Sequence, residues 1–102
     1  MCAVMPASTK ITPATKRELR SLGRKLKRAR LVRRLPMELI AERGGISIPT
    51  LRRIEGGDPN VRIASYLLVM QALGLLKEFA NFTDPLDTEL TDEQLPQRGR
   101  RT

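Results

Sequence analysis

The chain has 102 residues, one domain by length, with 19 Lys and Arg against 11 Asp and Glu, and enough apolar residues to bury a modest core without staples. It holds one cysteine, Cys2, and no histidine, which removes an internal disulfide, almost every transition-metal site and every histidine-based catalytic triad. The charge is uneven: residues 1–62 carry 15 bases and 5 acids, a net of +10, whereas residues 63–102 carry 4 and 6, a net of −2, so the positive field that a phosphate backbone requires sits on the N-terminal part.

Residues 1–11 have no apolar period and read as a flexible arm. Thr12-Pro13 predicts a helix start, Thr12 capping and Pro13 standing where its missing N–H costs nothing; Thr15 to Glu18 offers a second start as a capping box. Leu19, Leu22, Leu26 and Ala29 then recur at three- and four-residue steps on one face, giving a first helix of about five turns. Pro36 is expected to end it through its restriction on Leu35.

Met37 to Arg43 reads as a second helix with Leu39 and Ile40 inward and the small Ala41 where helices approach closely. Gly44-Gly45 stops it, one of the two in the left-handed conformation. Ser47 is placed to cap a third helix in whose first turn Pro49 is harmless. Leu51 and Ile54 face the core; Thr50, Arg52 and Arg53 face away. Two helices joined by so short a turn form the helix-turn-helix pattern, whose second helix enters the DNA major groove. Gly56 to Asn60 is a loop. Ile63, Leu67, Met70 and Leu73 then predict a fourth helix closed by Gly74, and Leu75, Leu76, Phe79 and Phe82 a short fifth. The reading is all-α, a compact five-helix bundle over residues 12–83, followed by a tail at 84–102 that starts acidic and ends basic.

Leu22-Gly23, Leu26, Arg30, Leu39 with Ala41, Gly45, Ser47, Leu51, Ile54-Glu55 with Gly57, and Ala72-Leu73-Gly74 stand at the recurring positions of one family. Over residues 19–76 the chain resembles the helix-turn-helix domain of phage repressors, Cro and the Xre group of bacterial regulators. The resemblance implies a lambda-repressor-like fold and a cytoplasmic, nucleoid-associated regulator bound to double-stranded DNA as a homodimer. It also implies an ion pair between Arg30 and Glu55, against which stands the plainer reading of two solvated surface charges.

Base readout is expected from Ile48, Pro49, Thr50, Arg52 and Arg53, with Arg53 first and Arg52 second because a guanidinium matches guanine O6 and N7. One of the two arginines touching only phosphate is the competing reading. Phosphate contacts are expected from Arg43, Ser47, Asn60 and Arg62. Pro36 and Met37 depart from the family, which often opens its second helix with residues able to donate to phosphate. Leu75, Leu76, Phe79, Phe82 and Leu86 are the candidate dimer surface, or else they close the monomer core.

Thr12-Pro13, Ala72 to Leu76 leading into Asp84-Pro85-Leu86-Asp87, and Leu95 to Arg101 give a narrower resemblance to HipB-type regulators, which accompany HipA-like kinase toxins. That implies an antitoxin of a toxin-antitoxin operon with a kinase toxin as partner; a stand-alone Xre-type repressor is the alternative. An RNA- or ribosome-associated protein fits less well, because single-strand recognition relies on aromatic platforms and residues 1–62 hold no Phe, Tyr or Trp. No metal, cofactor, catalytic residue, small-molecule substrate or membrane contact is expected. The longest apolar run, Tyr66 to Leu76, falls well short of the roughly 18 residues of a bilayer span, and the start is too short for a signal-peptide core.

Overall fold

The computed structural model describes residues 10–87 and 91–96. Most of the arm expected at 1–11, and the parts of the tail at 88–90 and 97–102, lie outside the described residues. The described chain forms five α-helices: α1 (Pro13–Val32), α2 (Met37–Gly44), α3 (Ile48–Glu55), α4 (Ile63–Ala72) and α5 (Leu76–Ala80), followed by a 3-10 turn at Asp92–Gln94. Among these residues there is no strand.

The first of the two possible starts is used for α1. The Thr15 N–H donates to Thr12 Oγ1 at 3.1 Å and Pro13 opens the helix, which satisfies one of the donors a helix start leaves free. Pro36 does not end α1. The helix stops at Val32 because Arg34 turns left-handed, φ 55°, and Arg34 and Leu35 donate back to the carbonyls of Leu31 and Arg30 at 2.9 and 3.1 Å. Pro36 instead stands at the N-cap of α2. The same pair of return bonds closes α2 at Gly45-Ile46, α3 at Gly57-Asp58 and α4 at Gly74-Leu75, each with glycine at positive φ. This is the Schellman arrangement, which satisfies carbonyls left over at a helix end.

The core is formed by Leu26 of α1, Ile40 and Ala41 of α2, Leu51 and Ile54 of α3, and Tyr66, Val69, Met70 and Leu73 from the α4 region. Ile40, Leu51, Ile54 and Val69 are fully buried, each worth about 1.5–3 kcal/mol of apolar transfer. α2 packs on α3 and α4, α1 packs on α3, and α5 touches α4. Leu39 is only half-buried, while Ile40 takes the inward position beside Ala41.

Two expectations for the last helices are corrected. The buried face of α4 carries Ser65, Tyr66, Val69 and Met70, whereas Ile63 is 66% exposed. Apolar residues occupy every side of this helix, so their period does not select a face and packing against α2 and α3 does. Likewise α5 begins at Leu76 and ends at Ala80, leaving Phe82 beyond it.

Candidate nucleic-acid interface

Ser47 sets the start of α3. Its Oγ accepts from the Thr50 N–H at 3.1 Å and its hydroxyl donates to Thr50 Oγ1 at 2.9 Å. The cap therefore occupies the Ser47 proton and leaves the hydroxyl proton of Thr50 to reach outward. Gly45, φ 67°, makes the bend between α2 and α3. A side chain there would meet no neighbour within 4 Å; the backbone angle, not space, is what asks for glycine.

From that start α3 divides into two faces. Leu51 and Ile54 are fully buried, while Arg52 and Arg53 between them are exposed, with Pro49 exposed and Ile48 and Thr50 half-buried. Each residue advances about 100° around a helix, so two adjacent arginines between two core residues must both point away from the core. Arg43, Ser47, Asn60 and Arg62 are exposed as well.

The C-terminal end of α3 is tied to α1 by an ion pair. Arg30 Nε and Nη2 donate to Glu55 Oε2 and Oε1 at 2.7 and 3.1 Å, and Arg30 Nη1 donates to the Leu35 carbonyl at 3.1 Å. Both side chains are more than nine-tenths buried, so of the two sequence readings the surface pair is set aside. A bidentate guanidinium–carboxylate contact fixes orientation as well as distance.

Backbone contact supplies the second tie. A β-carbon on Gly23 would lie 2.6 Å from the Ile54 carbonyl oxygen and 2.7 Å from that of Glu55, and one on Gly57 would lie 2.7 Å from the Arg20 backbone. Gly23 and Gly57 thus let α1 and the end of α3 meet without side chains between them. In the sequence Gly57 reads as part of a loop and both glycines stand at recurring family positions; a glycine in the middle of an otherwise regular helix, at Gly23, is the physical signal of this contact.

Beyond α3 the loop is held by Tyr66 and Asp58, neither singled out in the sequence. The buried Tyr66 hydroxyl donates to the Asp58 carbonyl at 2.7 Å, and Asp58 Oδ1 accepts from the Asn60 N–H at 2.8 Å. Burial, reinforced by the nearby Asp58 charge, raises the Tyr66 pKa from its ordinary 10.0. Lys27 was also missed. It lines one open groove with Met37, Arg52 and the Arg30–Glu55 pair, and it adds a cation beside Arg52.

Of the candidate dimer residues, only Leu75 packs on the core, half-buried, while Leu76, Phe79, Phe82 and Leu86 are exposed. Phe79 joins Leu19, Leu22, Val61, Ile63 and Leu67 around an apolar groove of about 410 Å³. Among the described residues no cluster could hold a metal ion, and no helix is long and apolar enough to cross a membrane. No family model, curated protein or solved structure matches the chain.

Proposed function

We propose that the chain is a sequence-specific DNA-binding regulator that acts as a twofold dimer, with α3 laid in the major groove and half-sites one helical turn, roughly 34 Å, apart. The observation that carries this reading is the division of α3: Leu51 and Ile54 anchor it, and Arg52 and Arg53 stand free between them. Arg53 and Arg52 read guanine through paired donors, each good contact discriminating by about 1–3 kcal/mol. Ile48, Pro49 and Thr50 approach the remaining base edges.

Arg43, Asn60, Arg62 and Lys27 position the duplex through its phosphates, with Ser47, whose hydroxyl proton is taken by Thr50, adding its backbone N–H; such contacts give affinity without sequence preference. One recognition helix reads few base pairs, so a second copy is needed for tight and specific binding. The exposed apolar surface around Phe79 and Ile63 supports that pairing. A repressor that covers its own promoter needs no further part, and its place of action is the nucleoid in the bacterial cytoplasm.

The HipB-type resemblance rests on short segments at the ends of the domain. Of the described ones, Thr12 caps α1 and Leu76 opens α5, roles in folding, while 84–87 and 95–96 are exposed. The regulator is the reading put forward because an antitoxin of this kind would bind DNA through the same helix.

The test is selection of bound duplexes from a random pool, followed by binding titrations at fixed salt. A preferred half-palindrome is expected, and Arg53→Ala is expected to weaken binding about tenfold or more on that site and to relax preference at one base pair. Unchanged affinity and preference in this variant would remove α3 as the reading element.

A further inference from the structure

α1 presents a second charged face that the proposed DNA contact leaves unused. Gly23, Leu26 and Arg30 are its buried residues, turned toward α3. At about 100° per residue, Arg17, Arg24 and Arg28 lie on the opposite side, flanked by Lys25. All four are exposed. Among the described residues none of them pairs with an acid, the ion pair found there being Arg30–Glu55. The face is also partly apolar: Leu31 and Val32 are 53% and 64% exposed, and they share an open groove with Arg24, Lys25 and Arg28. Exposed aliphatic side chains suit a protein surface better than a phosphate backbone.

The same chain carries the complementary chemistry. The stretches 84–87 and 91–96 hold Asp84, Asp87, Asp92 and Glu93 with no base, and they interleave these acids with Leu86 and Leu95. Leu86 is 84% exposed and all the residues of both stretches are exposed, so within one chain they rest on nothing. Basic positions with two aliphatic residues on α1, and acidic positions with two leucines in these stretches, match in sign and in kind. A twofold axis would satisfy both faces and both stretches at once.

We infer that in the dimer the acidic, leucine-bearing stretches 84–87 and 91–96 of each copy dock on the outward face of α1 of the other, Asp87 and Glu93 meeting Arg24 and Arg28 while Leu86 covers Leu31 and Val32. This exchange rests on the dimer proposed above and adds its receptor surface.

Sedimentation of the full chain without DNA tests it, using two exposed charge reversals. Arg24→Glu with Arg28→Glu changes the face, and Asp87→Lys with Glu93→Lys changes the stretches. Each pair is expected to weaken dimerisation about tenfold at low salt, with a smaller effect at high salt. Mixing the two defective proteins is expected to restore a dimer, because each normal or reversed stretch then meets a face of opposite sign. Failure of the mixture to recover overturns exchange between copies. Dimers unaffected by either pair overturn the exchange but leave the dimer itself intact. A wild-type chain monomeric at every concentration overturns both.

Discussion

Arg30 of α1 and Glu55, the last residue of α3, form a bidentate ion pair with Nε–Oε2 at 2.7 Å, which joins the longest helix to the one that carries the outward arginines. Each charge is buried and compensated by the other. Removing one partner leaves the other uncompensated, so Arg30→Ala and Glu55→Ala are each expected to lose about 3–5 kcal/mol in urea denaturation. Arg30→Met combined with Glu55→Leu is expected to recover most of that loss, since an apolar pair of similar volume carries no desolvation cost. A double variant no more stable than the singles would assign the loss to packing instead.

The glycines at the α1–α3 contact separate by geometry. Gly23→Ala puts a methyl 2.6 Å from a backbone oxygen that cannot swing aside, and a loss of about 1–3 kcal/mol is expected. Gly57→Ala adds left-handed strain, φ 74°, and is expected to cost at least as much. Gly56→Ala is the control: its backbone is right-handed and its nearest contact is 3.4 Å. Thermal melts of the three variants should place Gly56→Ala close to wild type and the other two well below it.

Among the described residues Arg34 is the one residue other than glycine at positive φ, 55°. Its β-carbon makes that angle unfavourable, and Arg34→Gly is expected to stabilise the fold by up to about 1 kcal/mol, the gain reduced by the greater freedom of glycine when unfolded. Chemical denaturation reads this directly. A lower midpoint would mean that the exposed arginine side chain contributes more than its backbone angle costs.

Tyr66 supplies a pH signature. Its folded pKa is raised above 10.0 by burial and by Asp58, so its neutral form is favoured in the fold. That contribution is fully present below the unfolded value of about 10 and is lost as pH rises through the folded one. Stability of the wild-type chain is expected to fall faster above pH 10 than that of Tyr66→Phe. The variant should be about 1 kcal/mol less stable at neutral pH, having lost the bond to the Asp58 carbonyl. Parallel stability curves for the two proteins between pH 9 and 11 would contradict this account.

The parts of the fold set by local chemistry were legible in the sequence. Thr12 with Pro13, Ser47 with Pro49, and Gly45 each announce a helix boundary through one residue's own donors, ring or backbone freedom. The outward pair Arg52-Arg53 followed from two core residues three apart. What escaped depended on neighbours distant in the chain: α4 is apolar on all sides, and only packing decides that Tyr66 turns inward and Ile63 outward. The end of α1 escaped for a different reason, because an arginine was not expected at a left-handed turn. Lys27 joins Arg52 only through the α1–α3 contact, which no spacing in the sequence expresses.

The side chains that keep α3 in place and those it offers to the outside are different residues: Leu51, Ile54 and Glu55 do the first, and Pro49, Arg52 and Arg53 the second. Swapping the outer set should therefore leave melting behaviour almost untouched, which makes the outward face of α3 a cartridge that can be rewritten, by mutation over generations or by deliberate library selection, while the chassis beneath stays the same.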